Sequence, residues 1–324
     1  MAHTFDPQLQ AAAGRMMAMA AGRGLSLERT PAARGDWRAL RAASEAALAA
    51  WEAAAAEHGE ITRSGFKVMS GDGVAVPLRW YTPPGYGTAD AGPAAVYLHG
   101  GGMILGSVDL YDRYVAAYVA DSGVPLLAVD YRRAPEAPHP APVEDCYSGL
   151  RWLVEHAGEL GVKPERIAVM GDSGGGGLAA GVALLARERG PGLARQILIY
   201  PMLDDRTTVP DPALVPFAGW SYDDNYTGWS ALLGDAIGGP DVPAVAAPAR
   251  AGDVSGLPVT YVEVGELDIF RDESIGYARR IAAAGTSVEL HVHPGCPHGF
   301  DRVSSEADIV RRSRADRVRV LRSF

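Results

Sequence analysis

The feature of this chain that most constrains its fold is an alternation of short apolar runs with longer helix-forming segments. Residues 66–70 and 76–81 flank a Gly71-Asp72-Gly73 turn and predict a β-hairpin. Six further apolar runs follow, most of them separated by segments of helical periodicity. Antiparallel strands followed by repeated strand–helix units predict an α/β fold, with a mostly parallel eight-stranded sheet covered by helices on both faces. The six later strands are predicted at 95–98, 125–130, 166–170, 197–200, 259–264 and 288–293, and the helices at 112–120, 142–156, 174–189, 273–284 and 305–321.

Two regions depart from this alternation and predict a helical cap. The alanine-rich segments 7–21 and 36–58 are strong helix formers that precede the sheet. Residues 203–249 are rich in Pro, Asp, Gly and aromatics, and a connection of this length inside a compact domain is usually functional. We therefore predict N-terminal cap helices over residues 1–60 and a core over 61–324 that carries a cap insertion at about 203–249.

Composition limits the partners that the chain can have. Its formal net charge of −9 argues against nucleic acid or an anionic membrane surface. No apolar run reaches the ~18 to 20 residues of a membrane span, and the N-terminus lacks the basic start of a signal peptide. Cys146 and Cys296 are too few for a disulfide framework. We expect a cytoplasmic protein whose partner is a small molecule, with a homodimer left open.

The segment Gly171-Asp172-Ser173-Gly174-Gly175 is a G-x-S-x-G motif between a predicted strand and a predicted helix. That context is typical of a nucleophile elbow, in which a serine is held on a sharp strand-to-helix turn. Glycines are needed because the turn leaves no room for side chains beside the serine. The motif makes Ser173 the candidate nucleophile.

A second glycine-rich motif, His99-Gly100-Gly101-Gly102, follows the predicted strand 95–98. Consecutive glycines allow the backbone to approach a substrate and to direct N–H groups at a developing oxyanion. The motif is the HGGG type of lipases and esterases, and the N–H of the residue after the nucleophile completes it. We predict an oxyanion hole formed by Gly101, Gly102 and Gly174, in a loop shaped by His99 and Gly100.

With these two motifs the chain resembles the bacterial hormone-sensitive-lipase-type esterases of the α/β-hydrolase superfamily. The resemblance extends over about residues 66–303 and includes Asp130-Tyr131-Arg132-Arg133-Ala134-Pro135-Glu136, Tyr200-Pro201 and His298-Gly299-Phe300. Two residues depart from the family pattern, namely Gly174, where the family usually has Ala, and Arg133, where it has Leu. The resemblance implies a carboxylesterase that needs no cofactor and prefers short- to medium-chain esters.

The chain order of the triad in this superfamily, serine then acid then histidine, indicates the acid. Asp268 follows the predicted strand 259–264 in a segment that resembles the family's D-x-L-R-D-E sequence. Glu266 and Asp272 are its rivals, and Asp272 has an alternative explanation as a carboxylate in the first turn of a helix. Asp268 is the predicted acid.

The predicted base is His298, which lies in a Pro-His-Gly-Phe loop after the last predicted strand. His291 and His293 are its rivals. Because they alternate with Leu290 and Val292, we expect both to lie on the solvated face of that strand.

The sequence predicts the substrate pocket and the faces of the last helix less directly than it predicts the triad. Met103 and Trp220 are the candidates for lining an apolar pocket. For the helix at 305–321 we expect a solvated arginine face and an apolar inner face. The outer face would carry Arg311, Arg312, Arg314, Arg317, Arg319 and Arg322, and the inner face Ile309, Val310, Val318 and Leu321.

Other functions remain open at this point. An amidase, formamidase, lactonase or peptidase could use the same triad, and a non-catalytic ligand-binding receptor could share the fold. Residues 174–179 also satisfy the G-x-G-x-x-A pattern of dinucleotide-binding proteins, but the second glycine loop and the triad candidates would then be coincidences. Neither a metal-ligand spacing such as His-Glu-x-x-His nor a Walker A lysine occurs, so no metal or nucleotide cofactor is predicted.

Overall fold

In the computed structural model, which describes residues 3–22, 32–87 and 91–324, the chain forms one sheet. The strands are β1 (Thr62–Met69), β2 (Ala75–Thr82), β3 (Gly92–Leu98), β4 (Leu126–Val129), β5 (Val162–Asp172), β6 (Arg195–Ile199), β7 (Val259–Gly265) and β8 (Val288–His293). Their order is β1-β2-β4-β3-β5-β6-β7-β8. β2 is antiparallel to both β1 and β4, and every other neighbouring pair is parallel. The predicted mostly parallel, eight-stranded sheet is confirmed.

Helices cover this sheet, with α3 packed against α8 and α4 against α5. They are α1 (Pro7–Gly22), α2 (Trp37–Ala54), α3 (Asp112–Ser122), α4 (Ala141–Glu155), α5 (Gly174–Arg189), α6 (Tyr222–Leu233), α7 (Arg271–Ala283) and α8 (Asp308–Leu321). Within the described ranges, none of them combines the length and the apolar character needed to cross a bilayer.

The long connection between β6 and β7 contains α6, a helix that the sequence pattern did not predict. Ser221 caps this helix, because its Oγ accepts a hydrogen bond from Asp224 N while Asp224 Oδ2 accepts one from Ser221 N. The Ser-x-x-Asp spacing of a capping box was the signal that could have located its start. Gly35 N, just before α2, donates to Thr227 Oγ1 of α6 at 2.9 Å. The N-terminal helices therefore contact the insertion, and the predicted division into cap and core stays a prediction.

The prediction for the face of the last strand is wrong. Leu290 and Val292 of β8 are 37% and 38% exposed, whereas His293 is buried and His291 is half-buried. His293 Nε2 lies 3.4 Å from Oε2 of Glu263 on β7. His293 faces inward because the buried Glu263 carboxylate partners it, whereas the half-buried His291 pairs with Glu289 on its own strand.

The prediction of an entirely solvated arginine face on the last helix is also wrong, since the Arg317 side chain is only 1% exposed. Its Nε donates to Glu263 Oε1 at 2.7 Å, and its Nη1 donates to Asp301 Oδ2 at 2.5 Å. An arginine is rarely buried unless it is paired, and two buried carboxylates supply the pairing here. The helix also begins at Asp308 rather than at residue 305.

Candidate active site

Ser173 stands at the sharp turn between β5 and α5. Its backbone has φ 55° and ψ −121°, a strained conformation that non-glycine residues seldom adopt. A Cβ on Gly171 would lie 2.2 Å from the carbonyl oxygen of Gly175, and one on Gly175 would lie 2.1 Å from that of Leu98. The turn therefore excludes side chains at both positions. This is the strand–turn–helix context that the motif predicts.

His298 lies between Ser173 and Asp268 and is within hydrogen-bond distance of both. Its Nε2 is 2.9 Å from Ser173 Oγ, and its Nδ1 is 2.7 Å from Asp268 Oδ2. Asp268 is 1% exposed, and its Oδ1 accepts a hydrogen bond from Phe270 N. The rings of Tyr200 and Phe270 meet the imidazole edge-on at 4.9 and 5.0 Å between centroids. These contacts hold the ring in a position from which Nε2 can accept a proton from Ser173 while Nδ1–H donates a hydrogen bond to Asp268.

The rival residues have other partners. Asp272 is largely exposed and pairs with Arg271. Glu266 accepts a hydrogen bond from Gly295 N at 2.9 Å. His291 lies 2.8 Å from Glu289, and His293 contacts Glu263. None of these four side chains has a hydrogen bond with Ser173 among the described residues.

The glycine loop after β3 bends back over the start of α5. Gly101 and Gly102 have φ of 119° and 55°, and a Cβ on Gly101 would lie 2.3 Å from the carbonyl oxygen of Leu105. Within the part of the chain that the structure describes, the N–H groups of Gly101, Gly102 and Gly174 have no hydrogen-bond partner. Unpaired N–H groups beside a serine are suited to binding an oxyanion.

Gly174, one of the two departures from the family pattern, lies in direct contact with this loop. A Cβ at this position would lie 2.8 Å from the backbone nitrogens of both Gly102 and Met103. These are backbone atoms, so the loop itself would have to move to admit an alanine. Glycine therefore lets the loop lie closer to the elbow than alanine would.

His99 and Gly100 lie at the base of the loop. The His99 ring stacks on Tyr131 at 4.2 Å, its Nδ1–H donates to Gly100 O, and Tyr131 OH donates to His99 O. Burial lowers the pKa of His99 and favours the neutral ring. A Cβ on Gly100 would lie 2.5 Å from Oδ2 of Asp172, the residue before the nucleophile. The base of the loop thus packs directly on the elbow.

Comparison with known proteins agrees with this architecture. A family model described as the alpha/beta hydrolase fold matches residues 95–302. The chain belongs to that family. Carboxylesterase NlhH of Mycobacterium tuberculosis is 39% identical to this chain over 229 residues, which are 69% of this chain and 71% of that protein. Ethyl acetate hydrolase of Pseudomonas putida is 35% identical over 250 residues, 76% of this chain and 78% of the relative.

A solved structure, that of a bacterial heroin esterase, superimposes with a TM-score of 0.86 at 36% identity and covers 98% of this chain and 97% of that one. With the sequence relatives, this likeness assigns the α/β-hydrolase chain to the hormone-sensitive-lipase-type carboxylesterases. It is therefore a serine carboxylesterase.

In this esterase, Arg133 links the N-terminal helices to the glycine loop. Its Nη1 donates to Glu45 Oε1 of α2 and to Gly106 O, both at 2.8 Å. Arg41 of α2 donates to the carbonyl oxygen of Ile104 at 2.5 Å. The leucine-to-arginine departure thus supplies an ion pair and a hydrogen bond that hold α2 on the end of the loop.

The two side chains predicted to line a substrate pocket occupy different places. Trp220 lies over the glycine loop, because a Cβ on Gly102 would meet its indole ring at 2.6 Å. Met103 is fully buried, and its methyl carbon lies 3.2 Å from the position of a Cβ on Gly177 in α5. Trp220 is therefore positioned beside the candidate oxyanion hole, whereas Met103 packs against α5.

Sequence reasoning missed a buried charged network beside the elbow. Asp172 accepts hydrogen bonds from Tyr97 OH at 2.5 Å and Tyr111 OH at 3.2 Å. Arg302 lies 3.7 Å from the same carboxylate, four residues after His298. Alternation and motif spacing carry no signal for such a network, since its members come from separate strands and loops.

Cys296, two residues before His298, is fully buried. Burial raises the pKa of its thiol well above the ordinary range, which disfavours the reactive thiolate. Cys296 has a structural contact instead, because its carbonyl oxygen accepts a hydrogen bond from Leu267 N at 3.0 Å.

Proposed function

We propose that Ser173, His298 and Asp268 form the catalytic triad of this carboxylesterase. The observation that carries the proposal is the pair of contacts on His298, 2.9 Å to Ser173 Oγ and 2.7 Å to Asp268 Oδ2. Nε2 of His298 takes the Ser173 proton as Oγ attacks the ester carbonyl carbon. Asp268 accepts the Nδ1–H bond, holds the ring in the required tautomer and stabilises the imidazolium.

The oxyanion that forms in this step is assigned to the N–H groups of Gly101, Gly102 and Gly174. Their lack of a partner among the described residues supports this role. Removing one such donor typically costs about a hundred- to a thousandfold in rate. His298 then protonates the departing alcohol, and water activated by the same ring hydrolyses the acyl-enzyme to release the acid.

The substrates are proposed to be esters with short to medium acyl chains. Trp220 lies over Gly102, so its indole takes up part of the space beside the proposed oxyanion hole. The relative from Pseudomonas putida is named an ethyl acetate hydrolase, which is consistent with a small acyl group.

Hydrolysis of p-nitrophenyl esters from acetate to palmitate tests both proposals. Wild type should cleave the short esters, while Ser173→Ala should fall to background, since loss of a triad nucleophile can cost about a millionfold in kcat. Ser255→Ala, which alters an exposed serine, is the matched control. Equal rates for Ser173→Ala and wild type would refute the nucleophile. Faster turnover of the C16 than of the C4 ester would refute the chain-length proposal.

A further inference from the structure

A cavity of about 990 Å³ lies between α1, the end of α2, α3, α8 and the turn that follows the His298 loop. Among the described residues that line it, neither Ser173 nor His298 occurs. Its volume is near the upper end of the ~300 to 1,000 Å³ that is usual for small-molecule sites. The esterase therefore has a cavity of ligand size apart from its reacting atoms.

Arginine side chains dominate the charged lining of this cavity. Six arginines and three carboxylates line its described wall, an excess of three positive charges in a protein of net charge −9. Most of these arginines have acidic partners, as Arg314 has in Asp121 and Arg317 in Asp301. Partners such as Glu57 and Glu306 lie outside the lining, so the charged groups that a ligand in the cavity meets are mostly guanidinium groups, which bind anions.

Arg302 is a largely buried arginine whose guanidinium has unused donors. Its guanidinium stacks over the rings of Tyr111 and Tyr114, 4.4 and 4.3 Å from their centroids. Its Nη2 is buried and has no hydrogen-bond partner in the described part of the protein, since Asp172 Oδ2 is 3.7 Å away. Buried donors are almost always satisfied, and a guanidinium presents five of them in a fork that matches a carboxylate. Nη2 faces Asp172, whereas Nε and Nη1 are not enclosed and also make no hydrogen bond among the described residues. Because Arg302 lines the cavity, an anion there would accept from Nε and Nη1.

The rest of the wall is largely apolar. Trp51 of α2 is 36% exposed, which is a large fraction for a tryptophan side chain, and it lines the cavity with Met16 of α1 and Ala117 of α3. Exposed apolar surface next to a cation suits a ligand with an anionic head and an apolar tail.

We infer that this cavity is a second binding site, which takes a monocarboxylate with an alkyl tail. The carboxylate binds the Arg302 guanidinium, and the tail lies against Trp51, Met16 and Ala117. Ester hydrolysis releases acids of this class. Only the origin of the ligand as a reaction product rests on the proposed function; the binding site itself does not. Because Arg302 also lies beside Asp172, the bound carboxylate competes with the residue that precedes Ser173.

The test measures binding while the catalytic site is blocked. Ser173 is first phosphorylated with diethyl p-nitrophenyl phosphate, and mass spectrometry verifies the modified residue. Sodium decanoate is then titrated into the blocked protein by isothermal calorimetry. We expect one decanoate per chain and at least tenfold weaker binding of decan-1-ol, which has the same tail without the charge. Failure of Ser173 to react would refute the proposed nucleophile, and binding would then be measured on Ser173→Ala.

Two variants locate the site. Arg302→Met should lose decanoate binding, whereas Arg312→Met, at an exposed arginine outside the cavity, should keep it. Ala117→Phe fills the cavity and leaves Arg302 in place, so this variant should also lose decanoate binding. It therefore tests the location of the site even if Arg302→Met does not fold. The inference is overturned if the blocked wild type binds no decanoate, or if Ala117→Phe binds it as wild type does.

Discussion

Arg317 Nη1 lies 2.5 Å from Oδ2 of Asp301, and both side chains are nearly completely buried. Asp301 belongs to the turn that follows His298, while Arg317 is on α8. Arg317 also binds Glu263 on β7, and Asp301 accepts a hydrogen bond from Tyr200 OH at 2.8 Å. The buried ion pair between Arg317 and Asp301 therefore connects the last helix to the turn that follows His298.

Arg317→Met should destabilise the fold strongly. The substitution leaves the carboxylates of Glu263 and Asp301 buried without their principal counter-charge, and breaking a buried pair in this way typically costs about 3 to 5 kcal/mol. Urea unfolding measures the loss. Arg312→Met, at an exposed position of the same helix, should change the free energy of unfolding by less than about 0.5 kcal/mol. Similar midpoints for the two variants would contradict this account.

Glu263 should make stability fall in acid. Burial by itself raises the pKa of this carboxyl, but Arg317 and His293 outweigh burial and lower it from 4.5 to about 2. A lowered folded-state pKa gives stability that is full above about 4.5 and is lost as the pH falls through about 2. Glu263→Gln should be less stable than wild type at pH 7 and should show a shallower decline between pH 5 and 2. The free energy of unfolding is measured in urea at each pH. If it declines equally in Glu263→Gln and in wild type, Glu263 is not the source of the acid sensitivity.

Asp268→Asn should lower kcat for p-nitrophenyl butyrate by about a thousand- to ten-thousandfold. An amide cannot hold the imidazole in the required tautomer or stabilise the imidazolium. Asp272→Asn changes the rival carboxylate, which is largely exposed and pairs with Arg271, and should stay within about twofold of wild type. A larger loss in Asp272→Asn than in Asp268→Asn would reverse the assignment.

Gly174→Ala should lower kcat about tenfold with little change in KM. The added Cβ would stand 2.8 Å from the nitrogens of Gly102 and Met103, so the loop that carries the proposed oxyanion donors must shift. A shift costs part of the hundred- to thousandfold that one donor is worth. Gly276→Ala, in the interior of α7 with open space around the new Cβ, should leave kcat unchanged and raise stability by up to about 1 kcal/mol. An unchanged kcat in Gly174→Ala would contradict the prediction, because the loop could then move to admit the methyl group without loss of rate.

The sequence by itself determined the features whose signal is local. Alternating apolar runs predicted eight strands, since the side-chain period of a strand follows from its own backbone. The Ser173 and His99 motifs predicted two tight glycine loops, because the backbone conformations required there exclude side chains. The chain order of the triad pointed to Asp268 and His298, and the structure brings both within hydrogen-bond distance of the groups expected.

Only the tertiary structure decided which polar residues lie inside. Alternation along β8 predicted a solvated histidine face, but Glu263 on the neighbouring strand partners His293 and turns that face inward. The arginines of α8 look alike in sequence, yet Arg317 alone among the described arginines of that helix is fully buried, since Glu263 and Asp301 come from distant parts of the chain to pair with it. Burial of a charge depends on where its partner lies in space. Local periodicity contains no information about that distance.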